Sequence, residues 1–138
     1  MFDDLIKYKT NGHFFFKNGD SLATVSKGVP TMQGIYFIMR LAAGNIDLVY
    51  IGKSGTMQQN GSFKTQSLRG RMNNRVNGES RQAFFESKFA EQSFEALDIY
   101  WYVTMDKTYQ DIPGYVEALL LQQYFQIYGK LPPWNKCF

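Results

Sequence analysis

Two tyrosines, a pair of arginines and one glutamate set among apolar residues have the types and spacing to do chemistry together. Tyr36 ends the run Gly34-Ile-Tyr, and Tyr50 opens the run Tyr-Ile-Gly52. Each phenol therefore stands two residues from a glycine. Arg71 and Arg75 are four residues apart, one helical turn, and on a helix would share a face. Glu117 lies in the run Pro113 to Tyr128. At about 100° per residue, Val116, Leu120, Leu121, Tyr124, Ile127 and Tyr128 fall within an arc of about 140°, and Glu117 falls inside it. A first-turn glutamate is favoured by the helix dipole and partly exposed. A carboxylate held inside an apolar arc is costly unless it is paired or binds a cation. An ion pair with a helix arginine and a divalent cation are the two remedies. They combine, because a metal-bound carboxylate and an arginine can serve one phosphate.

The elements that must position these residues are readable in outline. Gly34 to Leu41 and Leu48 to Gly52 are rich in β-branched and aromatic residues, and Gly44-Asn45 between them signals a turn, so they predict a β-hairpin. Tyr36 and Tyr50 oppose each other directly only in a register centred on Ala43, which needs a connection of odd length. A slip of one residue places the phenols on opposite faces. A helix is predicted from about Ser67 to Val76, with Leu68, Met72 and Val76 inward, Ser67 or Thr65 as cap and Asn77-Gly78 as stop. Arg69, Arg71 and Arg75 lie off that stripe. A second helix spans about Ser80 to Glu91, with Phe84, Phe85 and Phe89 inward. Phe94 to Thr104 reads as a third strand. Pro113 suits the first turn of a last helix that Gly129 closes. Upstream, Leu5 to Tyr8 begins a short helix, and Phe14-Phe-Phe-Lys followed by Asn18-Gly19 reads as a strand and turn. His13 is read as a structural or surface residue. The order predicts an α+β fold: a small three-stranded antiparallel sheet flanked by three helices over residues 34–138, with 1–33 as an N-terminal extension packed on the same domain.

The bulk numbers exclude some classes. The 138 residues suffice for one domain with its own core. The start Met-Phe-Asp-Asp is unlike a secretory signal, and no apolar stretch approaches a membrane span. The single cysteine, Cys137, leaves no internal disulfide. A cytoplasmic setting is the simplest reading. A net charge of +3 is compatible with nucleic acid without demanding it.

The pattern resembles the GIY-YIG nuclease superfamily. Gly34-Ile-Tyr36 and Tyr50-Ile-Gly52 match the defining motif letter for letter. Leu68-Arg-Gly-Arg71 resembles the arginine-bearing first helix, Glu117-Ala-Leu-Leu-Leu the metal-binding glutamate segment, and Pro132-Pro-Trp-Asn135 the terminal segment. The resemblance implies a metal-dependent DNA endonuclease, repair-type or restriction-like, with RNA as a further possible substrate. In that scheme Glu117 binds Mg²⁺ or Mn²⁺. Tyr50 helps deprotonate the attacking water, Tyr36 orients water or phosphate, and Arg71 stabilises the transition-state charge. Lys53 supports Tyr50 or holds a phosphate, Arg75 contacts a neighbouring phosphate, and Asn135 positions the scissile strand or braces the site. An ungapped match back from Asn135 would put Gln123 at the metal position, but only Glu117 is an acid on the inward arc. The rival readings are a nucleic-acid-binding module of the same fold without catalysis, and a small interaction protein. They differ in whether Glu117 shares a site with Tyr50 and Arg71.

Overall fold

The structure is a computed structural model that describes residues 2–64, 67–73, 75–76 and 79–138, with backbone alone at 75, 76 and 79. Its centre is an antiparallel sheet of four strands: β1 (Asn11–Phe16), β2 (Gly34–Ala42), β3 (Asn45–Lys53) and β6 (Ala96–Val103), in the order β1-β6-β2-β3. A second, two-stranded ribbon joins β4 (Arg75–Val76) to β5 (Glu79–Ser80). Among the described residues there are four α-helices: α1 (Leu22–Val25), α2 (Leu68–Met72), α3 (Arg81–Glu91) and α4 (Pro113–Tyr128). The expected three strands and three helices are thus corrected to a four-stranded sheet and four helices. The missing strand is the Phe14-Phe-Phe run. It pairs with β6, placing Phe14 opposite Ile99, so the first 33 residues contribute to the sheet itself.

Local chemistry explains the well-predicted elements. Pro113 opens α4 at a position where no backbone N–H is needed. Gly129, with φ of 71°, closes it in the left-handed conformation. Ser80 caps α3 by accepting from Ala83 N–H at 3.1 Å, a contact contributing about 1 kcal/mol. Helix α2 is shorter than expected. Its stripe holds only Leu68 and Met72, both buried, and the chain turns into β4 before Val76. Arg75 is therefore on a strand, not one turn above Arg71. Thr65, Asn77 and Gly78, named above as cap and stop, lie outside the described residues. The apolar arc of α4 is buried as far as Tyr124, but Ile127 and Tyr128 are more than half exposed.

The hairpin solves its register in an unexpected way. The connection is the two-residue turn Ala43-Gly44, with φ of 50° and 81°, the positive values a type I′ turn requires of both residues. The strained Ala43 N–H is received by the Glu95 carboxylate at 3.1 Å. An even connection alone would put Tyr36 and Tyr50 on opposite faces. A β-bulge corrects this: Met39 pairs with Leu48 but Ile38 with Tyr50, leaving Val49 unopposed. Beyond the bulge Tyr36 stands opposite Gly52, so the two tyrosines are diagonal neighbours on one face.

The sheet is covered on both sides. On one face Tyr36, Ile38, Leu97 and Ile99 pack with Leu68 and Met72 of α2 and Phe85 of α3. On the other, Ile35, Phe37 and Ile51 pack with Val116, Leu120 and Leu121 of α4 and with Leu5 and Tyr8 near the N-terminus. The outer edge of β3 is occupied by the C-terminal segment. Trp134 N–H donates to the bulge carbonyl of Val49 at 2.8 Å.

Candidate active site

The open end of the hairpin is crowded, and both motif glycines are there for space. A Cβ on Gly34 would lie 1.9 Å from the Tyr102 carbonyl oxygen of the neighbouring strand. A Cβ on Gly52 would lie 2.7 Å from both Tyr36 Cζ and Tyr50 Cε1. The first glycine admits a backbone and the second admits the two phenol rings, whose centroids are 5.8 Å apart. Ser54 ties the strand ends together, its Oγ accepting from Gly34 N–H at 3.0 Å.

The two phenols are not equivalent. Tyr36 is 2% exposed, and its buried Oη has no hydrogen-bond partner within bonding geometry among the described residues. Burial holds its hydroxyl well above the ordinary phenol range; Arg81 pulls it down, Tyr50 pushes it up, and Arg71 pulls it down more weakly. Tyr36 thus stays a protonated O–H. Tyr50 is only partly buried, and its Oη accepts from Arg81 Nη2 at 3.4 Å.

The two visible arginines of α2 do different work. Arg69 is structural: its Nε donates to Val29 O at 2.7 Å and its Nη2 to Lys27 O at 3.2 Å. Arg71 Nε is buried with no hydrogen-bond partner among the described residues, and the Arg71 charge acts on both Tyr36 and Glu117. The side chain of Arg75 is outside the described set.

Glu117 makes no ion pair or hydrogen bond among the described residues. Burial pushes its carboxyl up to about 7, with Lys53 and then Arg71 pulling it back. Lys53 is the last residue of β3, opposite Ile35 and so on the α4 side of the sheet. Its stem passes Gly114 in the first turn of α4, and its Nζ donates to Gly55 O at 3.4 Å. Gln123 is remote from this group, since its Nε2 donates to Asp4. Asn135 is a brace: its Oδ1 accepts from Ile51 N–H at 3.0 Å and its Nδ2 donates to Ile51 O at 2.9 Å. Both ends of its amide are engaged by the strand that carries Tyr50, which is the bracing role, one of the two expected of it.

The arrangement departs from a single cleft. The tyrosines lie on the α2/α3 face of the sheet, whereas Glu117 is on the helix that covers the opposite face. Arg71 is a charge felt on both sides. One further residue belongs here that the sequence pattern did not single out. Arg81, 2% exposed, stands against both phenols. The available signal was a basic residue in the first turn of a helix, where the macrodipole opposes it.

A metal at this site would have one protein carboxylate, because no group of three or more His, Cys, Asp or Glu side chains gathers among the described residues. An unpaired carboxylate completed by water and phosphate oxygens suits Mg²⁺ or Mn²⁺, which bind through one or two carboxylates and substrate phosphate. It does not suit a structural zinc site. Comparison with protein-family models, with curated proteins and with solved structures finds no match for this chain. No helix among the described residues is long and apolar enough to cross a membrane.

Proposed function

We propose that the chain is a divalent-metal-dependent endonuclease that hydrolyses phosphodiester bonds in DNA. The observation that carries this reading is the meeting of an unpaired carboxylate, Glu117, with the under-partnered guanidinium of Arg71 at the open end of the tyrosine hairpin. A carboxylate and an arginine that feel each other's charge without forming an ion pair are suited to a third party that carries both a cation and an anion, namely a metal-bound phosphate. The letter-for-letter resemblance of the hairpin to the GIY-YIG nucleases supports the same class of reaction.

Glu117 would hold Mg²⁺ or Mn²⁺, and the bound cation would neutralise charge on the phosphate. Arg71 binds a non-bridging phosphate oxygen and stabilises the charge that grows there. Lys53, close to Glu117, adds positive potential on the same side. Tyr50 would act as a phenolate, its own proton having gone to solvent: its Oη takes a proton from the attacking water as the water oxygen bonds to phosphorus, the bond from phosphorus to the leaving oxygen breaks, and the leaving oxygen takes a proton from solvent. Tyr36 is sealed and protonated, so it backs the Tyr50 ring instead of touching water. Arg75, whose side chain lies outside the described residues, would add a further phosphate contact. A cytoplasmic protein acting on DNA, with RNA as an alternative substrate, fits this reading.

The separation of Glu117 and Tyr50 onto opposite faces favours a second reading, a nucleic-acid-binding module of the same architecture without catalysis. One experiment decides. Supercoiled and branched DNA are incubated with the protein and Mg²⁺ or Mn²⁺, beside Glu117→Ala. Metal-dependent cleavage lost in Glu117→Ala supports the nuclease; equal cleavage in both overturns the assignment. DNA retention without cleavage in either supports the binding module.

A further inference from the structure

Arg81 is a buried cation with no acid beside it among the described residues. The residue is 2% exposed, and its Nε and Nη1 have no hydrogen-bond partner among the described residues. No carboxylate pairs with it among the described residues. The hollow beside it is lined by Leu22, Met72, Phe85 and Ile99, with Tyr36 as the only other polar side chain. Its Cζ lies 5.1 Å from the Tyr50 ring centroid and 5.5 Å from that of Tyr36. Leaving a charge in such a place costs more than an apolar side chain of equal size, and it also sits where the helix dipole opposes it. Stability does not explain its presence.

We propose that Arg81 is a positioning residue that acts through Tyr50. This rests on the nuclease reading given above for its catalytic consequence, but not for its geometry. Arg81 Nη2 donates to Tyr50 Oη, so one oxygen lone pair is held toward the protein interior. The Tyr50 hydrogen and remaining lone pair are then left for the side away from Arg81, which the partial exposure of Tyr50 opens to solvent. The guanidinium lies within cation–π range of both rings and fixes their separation. Once Tyr50 has released its own proton to solvent, the negative Oη that takes the water proton is held beside a cation already in place, with no reorganisation.

The test compares wild type with Arg81→Met, which keeps volume and removes charge, with Arg81→Lys, and with Arg81→Ala supplemented by guanidinium chloride at millimolar concentration. Arg81→Met is expected to unfold in urea at the same concentration as wild type or a higher one. Its kcat for metal-dependent DNA cleavage should fall at least tenfold with KM unchanged. Arg81→Lys should recover only part of the loss, and added guanidinium should restore activity to Arg81→Ala by at least threefold. In protein labelled with ¹³C at tyrosine Cζ, the Tyr50 resonance should move in Arg81→Met and return toward wild type with guanidinium in Arg81→Ala. Parallel loss of stability and activity, without guanidinium rescue, would show a purely structural role and overturn the proposal. If wild type cleaves nothing, the nuclease reading fails, and the Tyr50 resonance still judges the contact: an unmoved resonance overturns it, a moved and rescued one upholds it.

Discussion

Replacing Glu117 by glutamine removes a charge while keeping shape, and the structure says what that charge costs. Burial lifts the carboxyl from an ordinary 4.5 to about 7, against the pull of Lys53 and Arg71. At about 1.36 kcal/mol per pH unit, the ionised group opposes folding by at most ~3 kcal/mol at pH 8. Because the side chain is partly exposed, solvent screening brings the expectation to about 1–3 kcal/mol. The sign follows from proton linkage: the folded protein holds this proton more tightly than the unfolded chain does. Its contribution is therefore most favourable below 4.5, falls as pH rises from 4.5 to 7, and is constant above. Glutamine carries no such proton. The stability advantage of Glu117→Gln over wild type should grow by about 1–3 kcal/mol between pH 4.5 and pH 8, a Tm gap on the order of 3–10 °C. Urea or thermal unfolding of both proteins at the two pH values measures it. Magnesium adds a second arm: at a hundredfold excess over its Kd, a cation bound only to the folded site stabilises by about 2.7 kcal/mol. Wild type at pH 8 should show this and Glu117→Gln should not. A stability difference that ignores pH would refute the burial argument. A metal response retained by the glutamine variant would refute the assignment of the metal to this carboxylate.

Two further predictions test the frame around the site. Gly52→Ala places a methyl 2.7 Å from both phenol rings and should cost about 1–3 kcal/mol, read by urea unfolding, with a larger proportional loss of cleavage; Gly28→Ala, where nothing lies within 4 Å, is the matched control and should be neutral or slightly stabilising. Asn135→Ala removes both bonds to the Ile51 peptide and should cost about 1–3 kcal/mol. Asn135→Asp keeps the acceptor for Ile51 N–H but turns a carboxylate oxygen on Ile51 O, and should lose at least as much; a neutral outcome for both would mean that this brace contributes nothing.

The parts of this fold that were legible in the sequence are those fixed by local chemistry. Pro113 and Gly129 mark α4 because one lacks the N–H that a first turn does not use and the other accepts a left-handed backbone. Glu117 stood out because its neighbours at helical spacing are buried. The fourth strand was not legible. Phe14-Phe-Phe announces a strand, but its partner Ile99 is 85 residues away, and no local pattern names a pairing at that distance. The length of α2 was hidden for a similar reason. Its start is anchored by tertiary bonds, Leu68 N–H to Met32 O at 2.9 Å and Arg69 N–H to Pro30 O at 3.2 Å, and the chain leaves the helix before its periodicity runs out. Arg81 was hidden because a buried cation and a solvated one look alike in sequence.

The bulge at Val49 is where register becomes chemistry. With the Ala43-Gly44 turn alone, the alternation of side chains would send one tyrosine to the face covered by α4 and the other to the face covered by α2 and α3. One extra residue in β3 brings both to the same face, against Arg81. That extra residue has a carbonyl outside the β2–β3 pairing, which accepts from Trp134 N–H, while the next residue in the chain, Asn135, clasps Ile51. The C-terminal segment thus holds the bulge from outside, three residues from the glycine that makes room for both rings. The Pro132-Pro-Trp-Asn135 segment accordingly belongs to the site through register: it decides which face Tyr50 occupies, and so whether Arg71 can stand between a phenol and a carboxylate that the sheet otherwise keeps apart.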